Sequence, residues 1–175
     1  MYFFYQNPLP PCGRPFLKLP GIVDVNGKPS EKFEQARRIN SADKALGPTL
    51  MSLESSGVTQ VYFENTTAQV EGLLQTAGCG LRSVSPYYYT VGCFTASGAG
   101  SGGLAAGTRA VMIVNREHAH TALATVEFDV PMAKVQEVSQ HSGLAEAVVD
   151  FAPAMNGTQQ LLGPGRGRLY LLPPG

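Results

Sequence analysis

LRSVSPYYYTVGCFTASGAGSGGLAAGTRAVMIVNREHAHTALATVEFDV, residues 81–130, decides the fold. Branched and aromatic side chains gather there in short runs: LRSVS, YYYTVGCFTA, RAVMIVNR and TALATVEFDV. Pro, Gly or Asn separates one run from the next. Such runs read as strands, because these side chains suit a pleated, half-buried surface. RAVMIVN has a continuous apolar centre. In ALATVEFDV, Ala124, Val126, Phe128 and Val130 alternate with Leu123, Thr125, Glu127 and Asp129, as in an antiparallel strand with one wet face. AKVQEVS continues the series, and RLYLLPPG closes it as a last strand. Over AEAVVDFAPAM (145–155) the period leaves short helix and strand both open. Several short strands at turn-marked spacing predict a mainly β domain, a sandwich or a barrel.

Upstream, VTQVYFE (58–64) is a further strand, and a helix follows at 67–77. Thr66 and Gln69 supply the T-x-x-Q capping box. Val70, Leu73, Leu74 and Ala77 share one face, and Gly78 ends the helix. An earlier helix is expected over 31–46, with Ser30 at its N-cap and Glu31 and Glu34 near the positive end of its dipole. Its apolar stripe is weak, which puts it on the surface, and Gly47-Pro48 should stop it. Residues 1–28 read as an extended arm, because Pro8, Pro10, Pro11, Pro15 and Pro20 forbid a helix. Residues 29–175 then make a single β-rich domain.

Composition narrows the function classes. Gly and Pro make up 33 of 175 residues, above the ordinary share but short of a disordered tract at about 25–30%. Charged residues reach only 15%, against a usual ~25%. The 13 basic and 13 acidic groups balance, which excludes a strongly charged binder of nucleic acid. The sign is nevertheless uneven: residues 1–46 carry seven basic and four acidic groups, and residues 121–175 carry three and five. Between Arg82 and Arg109 no side chain is charged. That run is too polar to span a membrane. Low charge with many tyrosines suits either a protein–protein contact or a hairpin with a mobile tip. Tyr2, Phe3, Phe4 and Tyr5 load the arm with aromatic surface, which must pack on its own domain or on a neighbouring subunit. The N-terminus lacks the basic region, apolar core and cleavage site of a signal peptide, so a chain made in the cytoplasm and not secreted by a signal peptide is expected. Cys12, Cys79 and Cys93 are odd in number and lack a CxxC, which predicts reduced thiols buried as small core residues.

Three patterns bear on chemistry. Gly98, Gly100 and Gly103 satisfy GxGxxG, but a phosphate-binding loop must open a helix, and this one joins two strands. A hairpin loop fits better. Gly165-Arg166-Gly167-Arg168 offers two arginines, too few for more than a contact, and reads as a turn before the last strand. His118 and His120 would share a face if their segment were a strand, with Glu127 or His141 as further metal ligands. This set faintly resembles the HxH…E…H motif of the cupin family, small β-barrels that often bind a metal. It departs from that motif: Met112 stands where the cupin glycine belongs, Glu127 lies seven residues after His120, and no Pro-x-Gly precedes His141. Asn65-Thr66-Thr67 and Asn156-Gly157-Thr158 match the glycosylation sequon, which matters only in a secreted protein.

MYFFYQNPLPPCGRPF (1–16) together with YYYTVGCFTASGAGSGGLAAGT (87–108) resembles, in style rather than by motif, the small virion proteins of tailed bacteriophages. These are capsid decoration proteins and tail or head–tail connector subunits. The resemblance implies a non-enzymatic virion subunit with no cofactor, metal or specific nucleic acid, which assembles with copies of itself or with other virion proteins. Arms and hairpins reach across to neighbours in such assemblies. The contact candidates are Tyr2, Phe3, Phe4, Tyr5, Tyr87, Tyr88, Tyr89, Gly98, Gly100 and Gly103. The alternative is a cupin-like metal enzyme using His118, His120, Glu127 and His141.

Overall fold

The computed structural model of the chain describes residues 21–23, 27–62, 65, 67–85, 88–98, 103–149, 151–152 and 156–175. The chain divides into two units, one ending at Lys44 and the other formed by Ala45–Gly175. In the first, Val23 and Pro29 meet in an isolated antiparallel bridge. Ser30, at the helix entrance, directs its hydroxyl at the Gly21 carbonyl at 2.5 Å, and its N–H donates to Ile22 at 3.0 Å. Helix α1 covers Glu31–Leu50 and therefore runs through Gly47-Pro48 rather than stopping there. Pro48 stands two residues before the end of the helix, so its missing N–H removes only one bond of the ladder. Burial of Leu46 and Thr49 offsets that loss, and the Ser52 hydroxyl closes the end on the Thr49 carbonyl at 2.7 Å.

The second unit is mainly β. Its strands are β1 (Leu53–Val61), β2 (Leu81–Ser85), β3 (Tyr89–Ala96), β4 (Arg109–Asn115) and β5 (Ala122–Phe128). They continue with β6 (Gln136–Val138), β7 (Ala145–Ala147), β8 (Phe151–Ala152), β9 (Gly157–Leu162) and β10 (Gly167–Leu172). Helix α2 covers Thr67–Ala77, and a 3-10 turn, Met132–Lys134, precedes β6. Two antiparallel sheets result, in the orders β1-β3-β4-β10-β6-β7 and β2-β5-β9-β8. The segment 145–155, ambiguous in sequence, contributes the two short strands β7 and β8. Strand β1 begins five residues earlier than expected and ends at Val61. Strand β9 was invisible in the sequence. Its inward side chains include Thr158 and Gln160, while Leu161 points out, the reverse of the pattern that marks a strand.

The main core lies between the sheets. Val91 and Cys93 of β3, Val111 and Ile113 of β4, and Tyr170 of β10 meet Val84 of β2 and Ala124, Val126 and Phe128 of β5. Phe128 and Tyr170 touch edge to face, with ring centroids 5.3 Å apart. The alternation read in β5 holds: Ala124, Val126 and Phe128 are buried and Leu123 is exposed. A second cluster covers the other face of the six-stranded sheet, where Leu46 and Leu50 pack on Ala110, Val138, Leu169 and Leu171. Helix α2 packs on β1 and β2, the first strand of each sheet, and so closes that side of the sandwich. In its apolar stripe Val70 and Leu74 are buried with Ala77 partly buried beside them, and Leu73, on the flank of that stripe, is exposed instead. Thr66 of the capping box lies outside the described residues.

Two local devices hold β9. A Cβ on Gly157 would lie 2.2 Å from the Val126 carbonyl oxygen, so only glycine permits this approach to β5. Asn156 before it has a positive φ of 45°. Its Nδ2 donates to the carbonyls of Phe128 (2.9 Å) and Val130 (3.0 Å), while its Oδ1 accepts from the Met132 N–H at 3.2 Å.

Candidate functional site

The uncharged run from 83 to 108 has two parts. Strand β3 sits between β1 and β4 inside the six-stranded sheet, and Tyr89, Val91, Gly92, Cys93 and Ala96 are buried there. Charge is absent from this part because it is interior, not because a partner covers it. Tyr89, taken as a contact residue, is 0% exposed and belongs to the core. Strands β3 and β4 form the expected hairpin, closed by the Ala96 N–H donating to Thr108 O (2.8 Å) and the Gly107 N–H donating to Ala96 O (2.9 Å). Gly98 (φ +78°) and Gly103 (φ +67°) stand near the ends of its loop. Gly100 and Tyr87 lie outside the described residues, as do Tyr2, Phe3, Phe4 and Tyr5.

Among the described residues of the run, small ones such as Ser85, Thr95 and Ser97 are exposed, and Tyr88 brings a large aromatic side chain to the surface, at 36% exposure. Strand alternation turns it away from Tyr89. It meets Tyr62, at the end of β1, edge to face with centroids 6.2 Å apart. The Arg116 guanidinium lies 5.4 Å from the Tyr62 ring centre, within cation–π range. Gln60 Oε1 accepts from Arg116 Nη1 at 3.2 Å and from the Tyr62 hydroxyl. The Arg116 N–H donates to the Tyr88 carbonyl at 2.9 Å. Three strand ends thus hold two exposed tyrosines and an arginine in one ordered group. Tyr62, Gln60 and Arg116 escaped the sequence reading, since nothing along a single strand shows which strand lies beside it.

The candidate metal ligands fall in different places. His118 and His120 lie in the loop between β4 and β5, not on a strand. Glu117 organises that loop: its Oε1 accepts from the N–H groups of His118 (2.9 Å) and Ala119 (3.1 Å). The same oxygen lies 3.2 Å from His118 Nδ1 and 3.8 Å from His120 Nδ1. The Ala119 N–H, with smaller contributions from the His118 N–H and both imidazoles, holds the Glu117 carboxyl below its ordinary value of 4.5. Glu127 instead accepts from the Ser83 hydroxyl at 3.1 Å, across β5 and β2. His141 lies in the turn between β6 and β7. Among the described residues no group of three or more His, Cys, Asp or Glu is arranged to hold a metal ion.

No protein-family model, no curated protein and no solved structure matches the chain. The surfaces must therefore be read from their own chemistry. Among the described residues no helix is long and apolar enough to cross a membrane.

Two further placements bear on function. Cys79 and Cys93, expected as free thiols, form a disulfide that ties the turn after α2 to the middle of β3. Their Cα atoms are 5.0 Å apart, a proximity the topology creates and the spacing in sequence conceals. Cys12 lies outside the described residues. On the opposite side of the sandwich, β6, β7, β9 and β10 line a polar crevice. Arg168, from the Gly-Arg-Gly-Arg turn, forms an ion pair with the mostly buried Glu137 of β6. The neighbouring strand places Glu146 directly opposite Glu137, and Gln160 and His141 are among the other lining residues.

Proposed function

We propose that the chain is a structural subunit that works through contact surfaces, in the setting of a tailed-bacteriophage virion as a capsid decoration protein or a tail or head–tail connector. The observation that carries this reading is the Tyr62–Tyr88–Arg116 group. Tyrosine and arginine are the side chains that dominate binding energy at protein interfaces, and here their geometry is fixed before any partner arrives. The outer face of the four-stranded sheet adds a second apolar element. Leu123 and Leu161 stand directly opposite each other on β5 and β9, and both are exposed. The aromatic arm at residues 2–5 supports the same reading from sequence.

Sedimentation velocity at two protein concentrations tests it. Concentration-dependent assembly is expected, and Tyr88→Ala should weaken it about tenfold or more, the loss of a hot-spot side chain. A protein that stays monomeric at every concentration, and binds no virion component, overturns the reading. A gene for a terminase, portal or tape-measure protein beside this one would fix the virion setting.

A further inference from the structure

We propose that the exposed edge of β7, with the crevice beside it, is the acceptor for residues 1–20 of a second copy of this chain. The proposal rests on the assembly reading above and names where one subunit grips the next.

The two sides of the sandwich differ in what closes them. Helix α2 covers the β1–β2 side. On the other side β7 pairs with β6, and all three of its residues are exposed. A strand edge left with unpaired N–H and C=O groups is a template for another extended segment. Apolar side chains flank it: Leu144 is 67% exposed and Val149 is 89% exposed. The charge beside the edge selects the occupant. Glu137 and Glu146 face each other across β6 and β7, and like charges in that position repel. Arg168 neutralises Glu137. Glu146 accepts a hydrogen bond from the uncharged Ser142 hydroxyl at 2.9 Å. The site therefore calls for an extended segment that carries positive charge and apolar side chains.

A symmetric pairing of β7 with β7 would set Glu146 near its own copy, and the other sheet edges carry no basic run. Residues 1–20 meet the requirement: they contain Arg14 and Lys18, no acidic residue, and aromatic side chains at 2–5. Five prolines disfavour helix throughout the segment. At about 3.3 Å per extended residue, 20 residues span at most roughly 66 Å.

The test uses the full chain and its own Cys12. Ala147→Cys places a thiol on the exposed edge. Under mild oxidation it should give disulfide-linked species of twice the chain mass or more on a non-reducing gel. Removing Cys12 by Cys12→Ser should abolish them, and a control thiol at Gln75→Cys, exposed on α2 on the closed side, should not produce them. Separately, Glu146→Lys should weaken assembly about tenfold or more through like-charge contact, and Arg14→Glu with Lys18→Glu in the same chain should restore it. Closure within one chain, seen as thiol loss at monomer mass, overturns the second copy as occupant. Unlinked thiols with undiminished assembly overturn the acceptor while leaving the assembly reading intact. A wild-type chain that never assembles overturns both.

Discussion

The two long sides of this β-sandwich are finished in opposite ways. On the β1–β2 side, α2 lays Val70 and Leu74 into the core, and the Cys79–Cys93 disulfide fastens its exit to β3. On the β7 side no helix covers the gap among the described residues. There the inward positions carry Gln160, Glu137 and Arg168 instead of aliphatic groups. A side that is meant to stay shut is made apolar and cross-linked. One that keeps polar groups and an open edge retains the means to bind. The difference sets an apolar, cross-linked side against a polar one whose strand edge is the acceptor proposed above.

That division can be broken most directly at Leu74. It is fully buried on the closed side, and Leu74→Ala should cost about 3–4 kcal/mol of unfolding free energy in urea melts. Next comes the disulfide, which closes a loop with a sequence separation of 14. Cys79→Ser with Cys93→Ser, or reduction of the native protein, should cost about 3 kcal/mol by the same measurement. On the open side, Arg168→Met leaves Glu137 mostly buried without its cation and should cost about 2 kcal/mol. Should Arg168→Met prove as damaging as Leu74→Ala, both sides hold the fold equally and the contrast fails. The smallest effect is expected at Glu117, in the β4–β5 loop. Its folded-state pKa is depressed, so its contribution is present above the ordinary carboxyl value and disappears as pH falls through the folded one. The gap in thermal midpoint between wild type and Glu117→Gln should therefore shrink between pH 5 and pH 3. A gap that widens on acidification would reverse the sign assigned to that carboxylate.

The strands were legible wherever burial follows side-chain chemistry. Strand β5 alternates in sequence as it does in space, and β4 reads as apolar because it lies inside the sheet with strands on either side. Strand β9 was hidden because Thr158 and Gln160 face inward and Leu161 faces out. Gly47-Pro48 does not stop α1, because packing of Leu46 and Leu50 outweighs the local preference. The candidate contact group was only partly readable. Tyr87, Tyr88 and Tyr89 look equivalent in sequence, but adjacent strand residues face opposite ways, and Tyr89 went to the core while Tyr88 reached Tyr62. Cross-strand neighbours such as Arg116 over Tyr62, Glu146 opposite Glu137 and Cys79 beside Cys93 depend on register. Register belongs to pairs of strands, and a single run of letters does not contain it.

Asn156 gives one more consequence. Both hydrogens of its Nδ2 are engaged by the Phe128 and Val130 carbonyls, at 2.9 and 3.0 Å. Attaching a sugar would replace one of those hydrogens and place a bulky glycan against the close β5–β9 approach at Gly157. Thr158, the hydroxyl residue of the same sequon, is wholly buried. Once this sandwich has formed, a glycosyltransferase meets a sequon whose acceptor nitrogen is already committed to the backbone, and the signal is closed to it.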